Sequence, residues 1–340
     1  MADQQAGGES AVPQEQDKRP LNEQWLARLK ANRVVAILLV AAAIVAGLAS
    51  FTDAASKLIA VFHRQSPEDA RQALARLSVP FTANDFSAAA AKGDLVATRL
   101  FLAAGMKPDE LPSEETPTAL VAAVSNDRPE VVAALLKAGA DPALHANGLH
   151  SPFEVAAIHG NVAIATALLA SKRVPGKEVD SAFLLAAEQG QPGMLPFLKA
   201  QGADVAKQST PALIEAASAM RVDGKRMADT VAFLLQAGAN IEARSGDSDW
   251  TPLTSAVYHS QPAVVGVLLD HGAVVDARDR DQRTPLWWAA GVGHVDAAAL
   301  LLAKGADPNA KDKEGVTPLG RAKYNLDEPM AQLLRAHGAK

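Results

Sequence analysis

The stretch TPLWWAAGVGHVDAAALLLAKGADPNA, residues 284–310, reads as two short helices in series. Thr284 suits the N-cap of the first, and Pro285 suits its first turn, where a missing N–H leaves no hydrogen bond unmade. Ala289 and Ala290 are small enough for a neighbouring helix to lie close. Gly291, Val292, Gly293 and His294 form the turn. The second helix ends after Leu301 and Leu302, with Gly305 as its left-handed C-cap. Two helices of this length cannot bury an apolar face by themselves, so the unit must stack on others like it.

The rest of the chain supplies those others. Thr251-Pro252-Leu253, Thr284-Pro285-Leu286 and Thr317-Pro318-Leu319 recur every 33 residues, and Thr118-Ala119-Leu120 precedes Ser151-Pro152-Phe153 by 33. About twenty residues after most of these triplets comes a Gly-Ala pair: Gly139-Ala140, Gly238-Ala239, Gly272-Ala273 and Gly305-Ala306. A period of 33 with this content resembles the ankyrin repeat family. The resemblance runs from about residue 81 to 339 and implies an all-α solenoid of about eight helix-turn-helix units. In this register the units begin near Asn84, Thr118, Ser151, Ser181, Pro211, Thr251, Thr284 and Thr317. Arg321 and Lys323 replace small residues in the last unit, as suits a terminal cap whose outer side meets water.

The register is irregular in the middle. Nine residues separate Lys172 from Ser181 and Gly202 from Pro211, against twelve from Gly272 to Thr284. Two successive loops are therefore expected to be three residues short. The fifth unit carries six extra residues, since 21 separate Ala217 from Gly238 and 15 separate Ala290 from Gly305.

Ahead of the repeats, residues 34–51 read VVAILLVAAAIVAGLASF, with no charge among 18 residues. At ~1.5 Å per residue this stretch and its flanks match a ~30 Å hydrocarbon core. The expected organisation is a disordered cytoplasmic tail over 1–33, a single transmembrane helix over 34–52, a juxtamembrane linker and capping helix over 53–80, and the repeats over 81–340. Lys18, Arg19, Arg28, Lys30 and Arg33 precede the span, whereas Lys57 and Arg64 follow it. This bias favours a cytoplasmic N-terminus. It implies a single-pass protein of a bacterial inner membrane with its repeats in the periplasm. A cleaved signal peptide is the rival reading of the same stretch.

Of 340 residues, 49% are hydrophobic, and the net charge is only −5, which excludes disorder along the whole length. With no cysteine, disulfide frameworks and cysteine-ligated metals are excluded. A mildly acidic chain lacks the basic face that nucleic acid needs. No phosphate-binding loop, dinucleotide fingerprint, HExxH or nucleophile elbow occurs. His145 and His150 share a loop, but no third ligand stands at convincing spacing. The sequence therefore predicts no enzyme, cofactor, metal or small-molecule substrate.

Binding to a protein partner is the expectation that remains. The family resemblance implies a concave surface lined by loop tips and the exposed ends of the first helices. By position, the sixth unit places Asp247, Ser248, Trp250, Tyr258 and His259 there. The seventh places Arg280, Asp281, Arg283, Gly291 and Val292, and the eighth Lys313, Glu314, Val316, Tyr324 and Asn325. Tyr258 and Tyr324, the only tyrosines, share one slot seven residues after the Thr. Tyr and Trp offer large contact area at little rotamer entropy, so Trp250, Tyr258, His259, Arg280, Asp281, Arg283, Lys313, Glu314 and Tyr324 are the candidate contact residues. Trp287 and Trp288 are assigned to packing. An accessory subunit whose transmembrane helix joins a membrane assembly is the alternative function.

Overall fold

The computed structural model describes residues 66–340 apart from 114, 115, 147, 172, 221, 222, 247 and 248. Seventeen helices follow one another among these residues. The first, α1 (Pro67–Arg76), stands alone. Eight pairs follow: α2 (Ala83–Lys92) with α3 (Leu95–Ala103), α4 (Ala119–Ser125) with α5 (Pro129–Ala138), α6 (Pro152–Ile158) with α7 (Val162–Ala170), α8 (Gly176–Glu188) with α9 (Met194–Ala200), α10 (Val205–Ser218) with α11 (Gly224–Gln236), α12 (Pro252–Tyr258) with α13 (Pro262–Asp270), α14 (Pro285–Val292) with α15 (Val295–Ala303), and α16 (Pro318–Tyr324) with α17 (Glu328–Ala336).

The ends of these helices follow from their capping residues. The hydroxyls of Thr118, Ser151, Thr251, Thr284 and Thr317 each accept from the backbone N–H three residues on, satisfying one of the donors a helix start leaves free. Asp94, Asn161 and Asp327 do the same for second helices. Between the helices of a pair, one side chain reaches back to the preceding unit and caps a carbonyl near the end of its first helix. Arg128 Nε donates to Ala91 O at 3.1 Å, Gln191 Nε2 to Ile158 O at 2.6 Å, His294 Nδ1 to Val257 O at 2.8 Å and Asn325 Nδ2 to Gly291 O at 2.8 Å. Val257 O also accepts from Ser260 N at 3.3 Å, whereas the other three carbonyls accept from no turn or cap N–H, and each bond ties two units together at a helix end.

First helices stack on first helices from α2 to α16 without a break. Ala156, Ala186, Ala216, Ala256 and Ala289 are fully buried between them, which is why alanine rather than a larger residue recurs there. The second-helix row runs through α3, α5 and α7, and again through α11, α13, α15 and α17; α9 is held mainly by its partner α8. Leu135, Leu168, Leu198, Leu234, Leu268, Leu301 and Leu334 form a wholly buried ladder along the pairs. Each contributes about 1.5–3 kcal/mol of transfer free energy. At the N-terminal end α1 packs on α3 and seals the row with Ala70, Ala73 and Leu74.

Three expectations are corrected. Units four and five do not begin at Ser181 and Pro211: α8 starts at Gly176 and α10 at Val205. Each short loop also gives up residues to the helix that follows it, so that these first helices have 13 and 14 residues, against 7 in α12. Pro211 therefore lies inside α10 rather than in a first turn. The third correction concerns the membrane. Among the described residues no helix is long and apolar enough to cross one. The longest, α10, spans ~21 Å at ~1.5 Å per residue, short of a ~30 Å core. The expected transmembrane helix over 34–52 lies outside the described residues, as do the 1–33 tail and residues 53–65. Among the described residues the architecture is that of an all-helical repeat solenoid, and none of its helices spans a membrane. The single-pass, cytoplasmic-N-terminus, periplasmic placement is withdrawn with that helix.

Candidate functional site

The first-helix ends and loop tips of units six to eight carry a continuous run of rings and guanidinium groups. Trp250 enters through an isolated antiparallel bridge to Ser245, which closes the tip before α12. Its ring centroid lies 4.8 Å from that of Tyr258 and 4.9 Å from that of Trp288. Tyr258 meets Trp288 edge-on at 5.5 Å, and Trp288 meets Trp287 edge-on at 5.1 Å. These offset and T-shaped arrangements set the positive edge of one ring against the negative face of another.

Two arginines continue the run. Arg283 sits over Trp287 at 4.8 Å and over Trp288 at 5.2 Å. Arg321 sits over Trp287 at 5.2 Å and over Tyr324 at 5.3 Å. A Cβ at Gly291 would stand in ordinary van der Waals contact with Arg321 and Trp287, both at 3.6 Å. The Nε atoms of Arg283 and Arg321 and the Nε1 atoms of Trp250 and Trp287 are buried and have no hydrogen-bond partner. Trp288 is the exception, donating from Nε1 to Asp279 Oδ2 at 2.9 Å. The other oxygen of Asp279 accepts from the backbone N–H groups of Asp281 and Arg283, both at 2.9 Å. One buried carboxylate thus shapes the loop tip and orients the central ring of the run.

The structure places the sequence candidates unequally. Trp250, Tyr258, Arg283 and Tyr324 belong to the run, with Tyr258 37% and Tyr324 79% exposed. His259 packs edge-on against Tyr258 at 5.2 Å, but its Nδ1 donates to Ser255 O at 2.9 Å, which makes it a helix-end cap. Asp281 links the tips of units seven and eight: its carboxylate lies 3.2 Å from Arg283 Nη1 and 3.4 Å from Lys313 Nζ. Arg280 and Glu314 are exposed at their tips. Asp247 and Ser248 lie outside the described residues. Sequence reasoning missed Trp288, Arg321 and Asp279. Trp288 and Arg321 are 33 residues apart and occupy one slot, three residues before the Gly291 and Tyr324 slot. That i, i+3 relation puts the two slots on one helix side, so the signal was present. Trp287, by contrast, is buried, consistent with packing.

A family model described as "Ankyrin repeats (3 copies)" matches residues 86–182, 183–279, 225–312 and 275–340. The chain belongs to the ankyrin repeat family. Its ankyrin repeats make it a protein-interaction module. Among curated relatives, 144 residues are 32% identical to the "Ankyrin repeat and KH domain-containing protein mask-1" of Caenorhabditis elegans, covering 41% of this chain and 5% of that protein. A "Putative ankyrin repeat-containing protein" of Treponema pallidum is 36% identical over 113 residues, covering 33% of this chain and 37% of its own. The human "2-5A-dependent ribonuclease" is 40% identical over 67 residues, covering 20% and 9%. The chain thus spans well under half the length of these relatives, and the similarity lies in repeats rather than whole proteins.

Proposed function

We propose that the chain is a non-catalytic binder that holds a protein partner against the first-helix face of units six to eight. The observation that carries this reading is the run from Trp250 through Trp288, Arg283, Trp287 and Arg321 to Tyr324, flanked by exposed Tyr258 and Tyr324. Rigid rings and stacked guanidinium groups lose little rotamer freedom on binding, and Trp, Tyr and Arg dominate the energetics of interfaces. Leu326, 90% exposed beside Tyr324, extends the apolar part of this surface.

The test is a quantitative capture experiment with the full chain, comparing wild type with Tyr258→Ala/Tyr324→Ala and with the distant surface variant Lys137→Ala. A partner retained by Lys137→Ala and depleted at least about tenfold by the tyrosine pair supports the surface, since loss of two aromatic anchors costs more than ~1.4 kcal/mol. Equal recovery from all three refutes it. The ribonuclease among the relatives makes a turnover assay on RNA a useful companion: hydrolysis by the chain would refute the non-catalytic half of the proposal.

A further inference from the structure

Away from the aromatic run, the third and fourth units bring together two imidazoles and two carboxylates that the sequence holds far apart. Glu154 lies in the first turn of α6, and Glu178 in the first turn of α8. Glu178 is there only because the short fourth-unit loop became helix. His145 and His150 come from the loop before α6. His145 Nε2 is 3.0 Å from Glu178 Oε1, His145 Nδ1 is 3.6 Å from Glu154 Oε2, and His150 Nδ1 is 3.4 Å from the same oxygen. One ligand atom each from His145, Glu154 and Glu178 lie within 4.8 Å of one another.

Three features set this group apart from an ordinary surface cluster. First, the carboxylates are deeply buried, with Glu154 4% and Glu178 5% exposed. Two anions stripped of water side by side are costly unless neutralised. Among the described residues their ion-pair partners are imidazoles alone, which carry a charge only when protonated. Second, with one nitrogen of His145 and one oxygen from each carboxylate, the three ligand atoms lie within 4.8 Å of one another, so that small side-chain shifts bring them onto a single ion. A tetrahedral centre with bonds of ~2.0–2.1 Å holds its ligand atoms about 3.3 Å apart. Third, the carboxylates are oriented from behind, as ligands of a metal are. Ser181 Oγ donates to Glu154 Oε1, and Ser151 Oγ donates to Glu178 Oε2 at 3.0 Å. Both histidines are about half exposed, leaving a route in from solvent.

We propose that His145, Glu154 and Glu178 form a three-ligand binding site for one divalent first-row transition ion of the zinc class, with the fourth position left to water. Imidazole nitrogen and carboxylate oxygen are the donors such ions take where cysteine is lacking. The ion replaces the shared protons between His145 and Glu178 and clamps α6, α8 and the His145 loop together. This inference is independent of the partner-binding surface and stands or falls without it.

The test uses the full chain, stripped with chelator and titrated with Co2+ followed by Zn2+. The expected result is a visible absorption band of four-coordinate Co2+ that saturates at one equivalent and is displaced by Zn2+. With Zn2+, the imidazole 15N resonance of His145 shifts while that of His294 stays. Glu178→Gln and His145→Ala abolish the band. Ser181→Ala, which touches only the hydroxyl behind Glu154, weakens Co2+ binding about 10–100-fold. Absence of a one-equivalent site, or an unmoved His145 resonance, overturns the proposal and leaves the group as a hydrogen-bonded joint. A band that persists in both Glu178→Gln and His145→Ala also overturns it. The NMR readout on wild type decides the matter even where Glu178→Gln fails to fold.

Discussion

Replacing Asp279 with alanine removes three acceptor bonds at once: those from Asp281 N, Arg283 N and Trp288 Nε1, each 2.9 Å long. The molecule contains its own control. Asp312, 33 residues later, accepts from Glu314 N at 3.0 Å and Val316 N at 2.8 Å in the same geometry, but the slot of Trp288 is there filled by Arg321. Both carboxylates are buried. The two loop N–H groups are near enough to water to recover part of their loss, so they account for about 2 kcal/mol in either variant. The indole N–H of Trp288, stacked among rings, adds about 1.5 kcal/mol as a bond to a charged acceptor. Asp279→Ala is therefore expected to cost about 3.5 kcal/mol and Asp312→Ala about 2 kcal/mol. Urea unfolding followed by tryptophan fluorescence reads this, because three of the four tryptophans, Trp250, Trp287 and Trp288, sit in units six and seven. A double-mutant cycle with Trp288→Phe isolates the indole bond, with a coupling of about 1.5 kcal/mol. Equal costs for the two aspartates, or a coupling under about 0.5 kcal/mol, would refute the view that Asp279 orients the central ring.

Other consequences follow from single positions. Leu326 holds φ +60° while 90% exposed, so Leu326→Asn is expected to stabilise the last unit by about 0.5–1 kcal/mol in urea unfolding while weakening partner capture. Gly160→Ala meets both a φ of +70° and the Gln191 side chain, which donates to Ile158 O and accepts from Arg226. It should lower the melting midpoint more than Gly139→Ala, where φ is +105° and the space is open; equal losses would show that the Gln191 bridge contributes nothing. Burial raises the Asp276 carboxyl above its ordinary value despite the Asp307 N–H it accepts, and the Asp307 charge raises it further. Protonation therefore favours the folded state: this contribution is fully present below the unfolded pKa of about 3.9 and lost as pH rises through the higher folded value. Asp276→Asn should raise the melting midpoint at pH 7 and lose that advantage below about pH 4.

Much of the architecture is legible from residue types alone. The Thr-Pro-Leu starts, the paired alanines and the glycines after each leucine pair state where helices begin, touch and end, because capping and close packing are local demands on single side chains. The contact slots were legible as well, since a 33-residue period maps each unit onto the next. Local pattern does not state how two neighbouring slots combine. Trp288 read as packing and Arg321 as a polar cap, yet with Trp287 between them they link Trp250 and Tyr258 to Tyr324. The apolar run at 34–51 lies outside the described residues, among which no helix is long and apolar enough to cross a membrane.

Chain order by itself therefore determined the repeat and its helical content, both consequences of short-range stereochemistry read at a fixed period. Only the stacking decided the rest. Side chains from different units meet across a distance the chain covers in about thirty residues, and a three-residue shortfall can be absorbed as loop or as helix. The helix was taken in unit four, and that choice set Glu178 against His145 and Ser151.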